Sequence, residues 1–344
     1  MKTTADFQLP ESMRALVLPA FESPMNIQQV PVPSPGKDEV LVKIVSSPVN
    51  PSDLMFIRGM YSSKKTPPVI PGFEGSGIVV ATSNDFMSRR LLGKEVACFA
   101  PQDDNGTWAE YMVTSNKTVI PLGEGCDLEL GSMLLVNPLT VFAMVEIAKK
   151  RKIKAIANTA AASALGQMLE RLCQEQGIAL VNIVRRQEQV DLLKAKGTRH
   201  VLNSSDPNFV RDMKQLFRQL DVRLAFDAIS DESPFSLLEA LPRHGEVMLY
   251  GALSEKAVIA HPGRFIFEDK RITGFWLSTW IAKQNIFKLL GLFKKVRKFV
   301  TESHQTTIAR RLPLEKADEG IQKYMKRMSE GKVIIKPAGK KPKS

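Results

Sequence analysis

Cysteine and histidine are scarce, with three cysteines and four histidines in 344 residues. Cys98, Cys126 and Cys173 lie far apart, and no CxxC or HExxH pairing occurs. A disulfide framework and a structural zinc site are therefore not expected. The cysteines read as packing residues rather than nucleophiles, and His200, His244, His261 and His304 stand at no recognisable ligand spacing. Long apolar runs are missing too, so no membrane span is expected. Residues 1–10 have neither the basic-then-apolar build of a secretion signal nor the Arg-rich, acid-free character of a mitochondrial presequence. A cytoplasmic location is the resulting expectation. Aromatic residues make up 7% of the chain, and none forms a platform interleaved with basic residues of the kind nucleic-acid binders use.

Basic charge is what the chain has in excess. Lys and Arg number 48 against 36 Asp and Glu, a formal net charge of +12. Such a balance favours anionic partners. The basic residues are scattered, with clusters at 149–154, 294–298 and 340–343. A solvated surface plus a small phosphorylated ligand accounts for this pattern, and nucleic acid is not expected as the partner. With 44% hydrophobic and 24% charged residues, the chain is globular, and its length suits two domains.

The first third reads as β-rich: MRALVLPAF, NIQQVPVP, DEVLVKIVSSPVN, GSGIVVAT, GKEVACFAP and GTWAEYMVTSNKTVIPLG are strand-like runs cut by Pro and Gly. From about residue 127, LELGSMLLVNPLTVFAMVEIAKKRK has helical apolar spacing and a basic end. Strands and helices then alternate. IKAIANT, IALVNIV, HVLNSS, VRLAFDAIS and EVMLYGAL are strand candidates, separated by helix-like segments. This spacing predicts right-handed βαβ crossovers and a doubly wound α/β fold with a parallel, Rossmann-type sheet. After residue 300 come a strand (TTIARRLPL), a helix (EKADEGIQKYMKRMSEG) and a last strand (KVIIKP), which are expected to rejoin the first domain. The predicted organisation is residues 1–128 plus 300–344 as one domain and 129–299 as an inserted second.

The first βα turn of such a sheet receives a pyrophosphate. Here it is 158–166, within AIANTAAASALGQM, with one glycine, Gly166, where three are usually found. Ala160, Ala162 and Ser163 are small enough to preserve close backbone approach, and Ser163 can cap the helix. An ordinary small-residue helix start is the competing reading. The second strand, ALVNIV, ends in Arg185 and Arg186 with no acid to hold a ribose 2′-hydroxyl. Two guanidiniums suit a 2′-phosphate; a solvated basic pair at a helix start is the alternative. Because positive charge there opposes the helix dipole, NADPH is preferred over NADH.

Four stretches now carry a resemblance: SSPVNPSDLMFIRGMY, PPVIPGFEGSGIVV, LLVNPLTVFAMV and RFIFEDKRITGFWLSTW. The whole chain resembles the medium-chain dehydrogenase/reductase superfamily, in the zinc-free branch of quinone oxidoreductases and mitochondrial-type 2-enoyl-thioester reductases. The resemblance implies a GroES-like, β-rich catalytic and substrate domain with the Rossmann NADPH-binding domain inserted in it. Zinc-dependent relatives would carry His at Phe73 and Cys near Asn50. Without those ligands no Lewis acid is expected, so no zinc is predicted. Glu74 reads as a hydrogen-bonded or ion-paired carboxylate, with a lone metal ligand as the alternative.

The implied chemistry is hydride transfer from NADPH to an activated double bond or a quinone. Tyr61 falls where the enoyl reductases keep their catalytic tyrosine, and a phenol can donate a proton. Asn50 and Asp53 orient this segment, with Asn50 and Trp276 grouped with Tyr61 at the catalytic centre. Thr140, Tyr250, Gly251 and Phe275 match positions lining the cofactor, and Phe275 with Trp276 would shape an acyl channel. Each has a plain alternative, such as a half-exposed tyrosine after a turn for Tyr61 or core and dimer packing for the aromatics. Three functions stay open: reduction of a 2-enoyl thioester or enone, quinone reduction, and non-enzymatic NADPH binding with RNA or a partner as target. A homodimer through the Rossmann sheets is expected, with ITGFWLST at the interface.

Overall fold

The computed structural model describes residues 2–3, 9–304, 306–326 and 328–337, with 2, 3 and 326 described by backbone alone. The basic cluster at 340–343 lies outside the described residues. The chain divides into two units, Met1–Val136 with Val300–Ser344, and Asn137–Phe299.

In the first unit, alternation in EVLVKIVSSP produces the long strand Glu39–Pro48, which buries Val40, Leu41, Val42 and Ile44. It pairs antiparallel with Glu74–Thr82 and with Tyr111–Ser115. Ser12–Val17 and Asn26–Pro31 form a separate antiparallel pair. One core packs Leu16, Leu18, Phe56 and Trp108 with Ile335, and Val42, Val79, Val96 and Cys98 form another. The end of the chain belongs here. Helix Ala317–Lys326 packs Ala317, Ile321 and Tyr324 on the first core, and Lys332–Lys336 lies antiparallel to Glu39–Pro48.

The second unit holds the predicted doubly wound sheet. Its six parallel strands lie in the spatial order His200–Asn203, Ala179–Val184, Ala155–Asn158, Leu224–Asp227, Glu246–Leu249 and Arg271–Gly274. In chain order this is 3-2-1-4-5-6, the Rossmann arrangement. The strands are short and apolar on both faces because helices cover the sheet. Helix Ala164–Gln176 begins under the Ser163 cap and ends at Gly177, whose φ of +66° suits glycine.

Two local readings need correction. The stretch from residue 127 is two helices, Leu128–Gly131 and Val136–Lys150, because the amides of Leu135 and Val136 turn to a buried carboxylate. The second unit begins just inside the longer of these helices, at Asn137. In the ITGFWLST stretch only Arg271–Gly274 is strand. Its neighbour ends at Leu249, whose carbonyl accepts the Phe275 N–H at 2.7 Å, and helix Leu277–Ala282 follows. The Asn-Pro-Ser-Asp run opens the helix Pro51–Ile57.

Candidate functional site

Helix Pro51–Ile57 is anchored at its start. The Asp53 carboxylate accepts the N–H of Asn50 (2.7 Å) and the N–H of Phe73 (3.0 Å), tying the helix to the entry of strand Glu74–Thr82. Asn50 is wholly buried. Its amide nitrogen donates to Glu74 Oε1 (2.8 Å), and its amide oxygen accepts from the Lys332 ammonium. Lys332 also donates to the Val49 carbonyl at 3.4 Å. The second Glu74 oxygen accepts the N–H groups of Leu135 (3.1 Å) and Val136 (3.0 Å). A carboxylate at a helix start satisfies free amides and faces the positive end of the dipole.

Burial opposes charge throughout this cluster. It pushes Asp53 up to about 7, with the negative charge of Glu74 adding to the shift and two backbone hydrogen bonds and Lys332 opposing it. It raises Glu74 against the pull of Lys332, and lowers Lys332 against both carboxylates. Two acids facing one ammonium are neutral together only when one acid keeps its proton, and burial favours the protonated form of both; Glu74 in addition spends both its oxygens on N–H donors. Glu74 is thus a hydrogen-bonded structural carboxylate. Asn50, grouped with Tyr61 by the resemblance, is completely buried and links Glu74 to Lys332.

Phe73 stands where a zinc ligand would be. Its ring packs against Phe56 (centroids 5.7 Å apart) and Tyr61 (4.8 Å). Among the described residues no three His, Cys, Asp or Glu side chains converge as a metal site. Tyr61 is half-buried beyond the Gly59 turn, whose φ is +71°.

In the second unit the first strand ends at Asn158, and Tyr250 donates its phenol hydrogen to Asn158 Oδ1 at 3.0 Å. Burial pushes the Tyr250 phenol upward. Next to it the Thr159 hydroxyl donates to Asp227 (2.7 Å), which also accepts the Ser230 N–H (2.7 Å) and the Ser233 hydroxyl (2.7 Å). Burial raises Asp227 despite these donors.

The loop itself shows how it dispenses with glycines. Ala160 adopts φ +50°, the left-handed conformation that glycine usually supplies, at a cost of about 1–2 kcal/mol. Such strain persists where the surroundings impose it. Ala161 and Ala162 are buried, and Ser163 Oγ accepts the Gly166 N–H at 3.1 Å. A Cβ at Gly166 would lie 2.4 Å from the Ala161 carbonyl oxygen, so the helix meets the loop's own backbone there rather than the strand. Gly251 similarly leaves only 2.9 Å to the Ala228 carbonyl oxygen.

Arg185 and Arg186 are exposed at the end of strand Ala179–Val184. Gln189 reconciles them with a helix start, since its side-chain oxygen accepts both their N–H groups at 3.2 Å. The carboxyl edge of one sheet therefore gathers Ala160, Ala162, Ser163, Gly166, Arg185, Arg186, Tyr250, Gly251 and Phe275. Thr140 is buried on helix Val136–Lys150, and Trp276 is partly exposed at the start of Leu277–Ala282. Tyr61 and Asn50 belong to the first unit. Sequence reasoning missed Lys332, Asp227 and the stacking role of Phe73. A lysine opening the apolar strand KVIIK was the available signal for Lys332.

Comparison with known proteins agrees with this architecture. Residues 36–124 match the alcohol dehydrogenase GroES-like domain, and residues 164–295 match the zinc-binding dehydrogenase domain. A solved structure from Mesorhizobium loti, assigned as an NADPH:quinone reductase, is 32% identical, with a TM-score of 0.89 over 96% of this chain and 100% of that one. The mitochondrial enoyl-[acyl-carrier-protein] reductase of Arabidopsis thaliana is 28% identical, covering 88% of this chain and 84% of the relative. The human mitochondrial enoyl-[acyl-carrier-protein] reductase is 26% identical over 95% and 89%. The chain belongs to the medium-chain dehydrogenase/reductase superfamily of oxidoreductases, in the branch of quinone reductases and 2-enoyl-thioester reductases. No helix among the described residues is long and apolar enough to cross a membrane.

Proposed function

We propose that this chain is an NADPH-dependent reductase that delivers hydride to the conjugated C=C of a 2-enoyl thioester or enone, with Tyr61 as proton donor. The observation that carries this reading is Tyr61 held against Phe73, a phenol braced by a ring at the very position where zinc-dependent relatives need an imidazole. The enoyl-reductase names of the curated relatives support it.

The second unit fits the cofactor. The strained Ala160, the capped helix start and the closed approach at Gly166 leave a small-residue cradle for a pyrophosphate, with Thr140, Tyr250, Gly251 and Phe275 toward the nicotinamide. NADPH, when bound, supplies the hydride. Arg185 and Arg186 would hold its 2′-phosphate. Removing both guanidiniums (Arg185→Ala with Arg186→Ala) is expected to raise KM for NADPH by about 10–100-fold, the worth of one charge-assisted contact, and to leave that for NADH within about twofold. Equal weakening toward both cofactors would remove the 2′-phosphate assignment.

The protein's own work is then positional. Hydride addition at the β-carbon sends the double-bond pair toward the α-carbon and the thioester oxygen. Tyr61 releases its O–H proton to the α-carbon, a C–H bond forms, and water restores the phenol. Trp276 and Phe275 would border the acyl chain.

The 32% identity to the Mesorhizobium protein favours a second reading, hydride transfer to a quinone. Parallel steady-state assays with crotonyl-CoA and 1,4-benzoquinone distinguish them. The first reading expects kcat/KM to favour the thioester and to fall for it alone in Tyr61→Phe; quinone turnover without thioester turnover selects the second.

We also propose a homodimer through the sheet edge Arg271–Gly274, which ends the strand order and lies close in sequence to the exposed Ile266 and Phe267. Light scattering after gel filtration is expected to give twice the 38.3 kDa chain mass; a monomer at micromolar concentration contradicts this.

A further inference from the structure

Lys65 lies on the segment between Tyr61 and strand Glu74–Thr82 and is only 3% exposed. Its ammonium has no hydrogen-bond partner. A buried, unpartnered charge is costly, so its retention calls for an account. What the ammonium meets is the ring of Phe73, 5.4 Å from the centroid. Tyr61 stacks on that same ring. The segment is tied down: the Lys65 N–H donates to Ser63 Oγ (3.2 Å), and the Ser63 hydroxyl donates to the Gln102 carbonyl (3.2 Å). The charged groups around it are Asp53 from the helix start and Asp103 and Asp104 from the facing loop, none of them hydrogen-bonded to it.

We propose that Lys65 is a positioning residue for proton delivery: its ammonium, braced on Phe73, stabilises the phenolate that Tyr61 becomes on releasing its proton. The inference rests on the reading of Tyr61 as donor. In the step concerned the Tyr61 O–H bond breaks, the substrate Cα–H bond forms, and the phenolate charge is left on a ring that packs, as the Lys65 ammonium does, against Phe73, in a medium that screens poorly. Lys65 keeps its own proton, and water reprotonates Tyr61. No electrons move through either residue.

Burial lowers Lys65 to about 8, with the three aspartates opposing the shift. The ammonium is present below that pH and disappears above it, so the assistance it provides ends there.

The test is kcat against pH from 6 to 10, with crotonyl-CoA and NADPH saturating, for the wild type, Lys65→Met, Lys65→Arg and Tyr61→Phe. The wild type is expected to lose activity through about pH 8. Lys65→Met is expected to show a roughly tenfold lower kcat at pH 7, KM within twofold, and no fall through pH 8. Lys65→Arg, charged throughout, is expected to keep most of the activity and to carry it past pH 9. Thermal unfolding checks that the variants fold; a purely structural lysine would lower stability and leave the pH profile in place. The inference is overturned if Lys65→Met keeps wild-type kcat or still falls at pH 8. Should the wild type reduce crotonyl-CoA and Tyr61→Phe be impaired while Lys65→Met is not, the lysine inference alone falls. Should the wild type reduce no enoyl thioester, the donor reading falls and takes this one with it.

Discussion

Tyr61→Phe is expected to lower kcat for an enoyl thioester by about 10²- to 10⁴-fold, the usual worth of a placed general acid. The substitution removes one oxygen and leaves the ring that stacks on Phe73 at 4.8 Å. Packing, and with it KM and folding, should change little. NADPH affinity is expected to change little, because the residues proposed to hold the cofactor belong to the other unit. This combination separates a proton donor from a structural aromatic, since a structural role would lower thermal stability and leave the chemistry in place. Steady-state kinetics beside a fluorescence titration with NADPH reads all three quantities. A variant with wild-type kcat would return Tyr61 to the ordinary half-buried tyrosine after a turn.

The second large effect concerns the buried cluster of Asn50, Asp53, Glu74 and Lys332. Lys332→Met removes the buried ammonium that donates to Asn50 and Val49 and lies in the field of Glu74 and Asp53, and leaving a buried charge uncompensated typically costs about 3–5 kcal/mol. For a unit of this size that lowers the unfolding midpoint by on the order of 10 °C. Asp53 adds a pH dependence whose sign follows from its shift. The folded value near 7 exceeds the ordinary 3.8, so the native state binds the proton more tightly. The associated stability is fully present below about pH 4 and is lost as pH rises through 7. Its size is on the order of 4 kcal/mol. Asp53→Asn should flatten the fall in unfolding midpoint between pH 5 and pH 8. An unchanged slope in that variant would assign the proton elsewhere in the cluster.

Much of the fold was legible because two periodicities carry it. IALVNIV and VRLAFDAIS are short apolar strands punctuated by glycine and helix caps, and tertiary packing had no reason to override them. The segment around Pro51 was harder. Asn-Pro-Ser-Asp is turn chemistry locally, and it becomes a helix start only because Asp53 also finds the Phe73 amide, some twenty residues away. The break before Val136 has the same origin: nothing in LLVNPL announces that its amides bond to Glu74. Gly274 ends a strand because its partner ends, not because of its own sequence.

The site divides in the same way. Ser163, Gly166 and the Arg185–Arg186 pair were readable, since capping, close approach and charge are local properties of the chain. Ala160 in a left-handed conformation was not, because alanine carries no signal for it. Lys332, Lys65 and Asp227 were missed for a common reason. A buried charge is recognised by what surrounds it, and their surroundings are assembled from distant segments. Cys98, by contrast, is the packing residue its lone position implied, buried in the core, its thiol pushed up to about 12 by burial.

In the proposed reaction a hydride passes from NADPH to the β-carbon of an enoyl thioester while the Tyr61 phenol protonates the α-carbon. Reduction of crotonyl-CoA by NADPH in D₂O, with the product examined by mass spectrometry and NMR, tests it most directly. The expected product is butyryl-CoA with one deuterium at C2, drawn from solvent through Tyr61, and none at C3, where the cofactor's hydrogen arrives. Absence of any enoyl-thioester product while benzoquinone is reduced at the same NADPH concentration would contradict it.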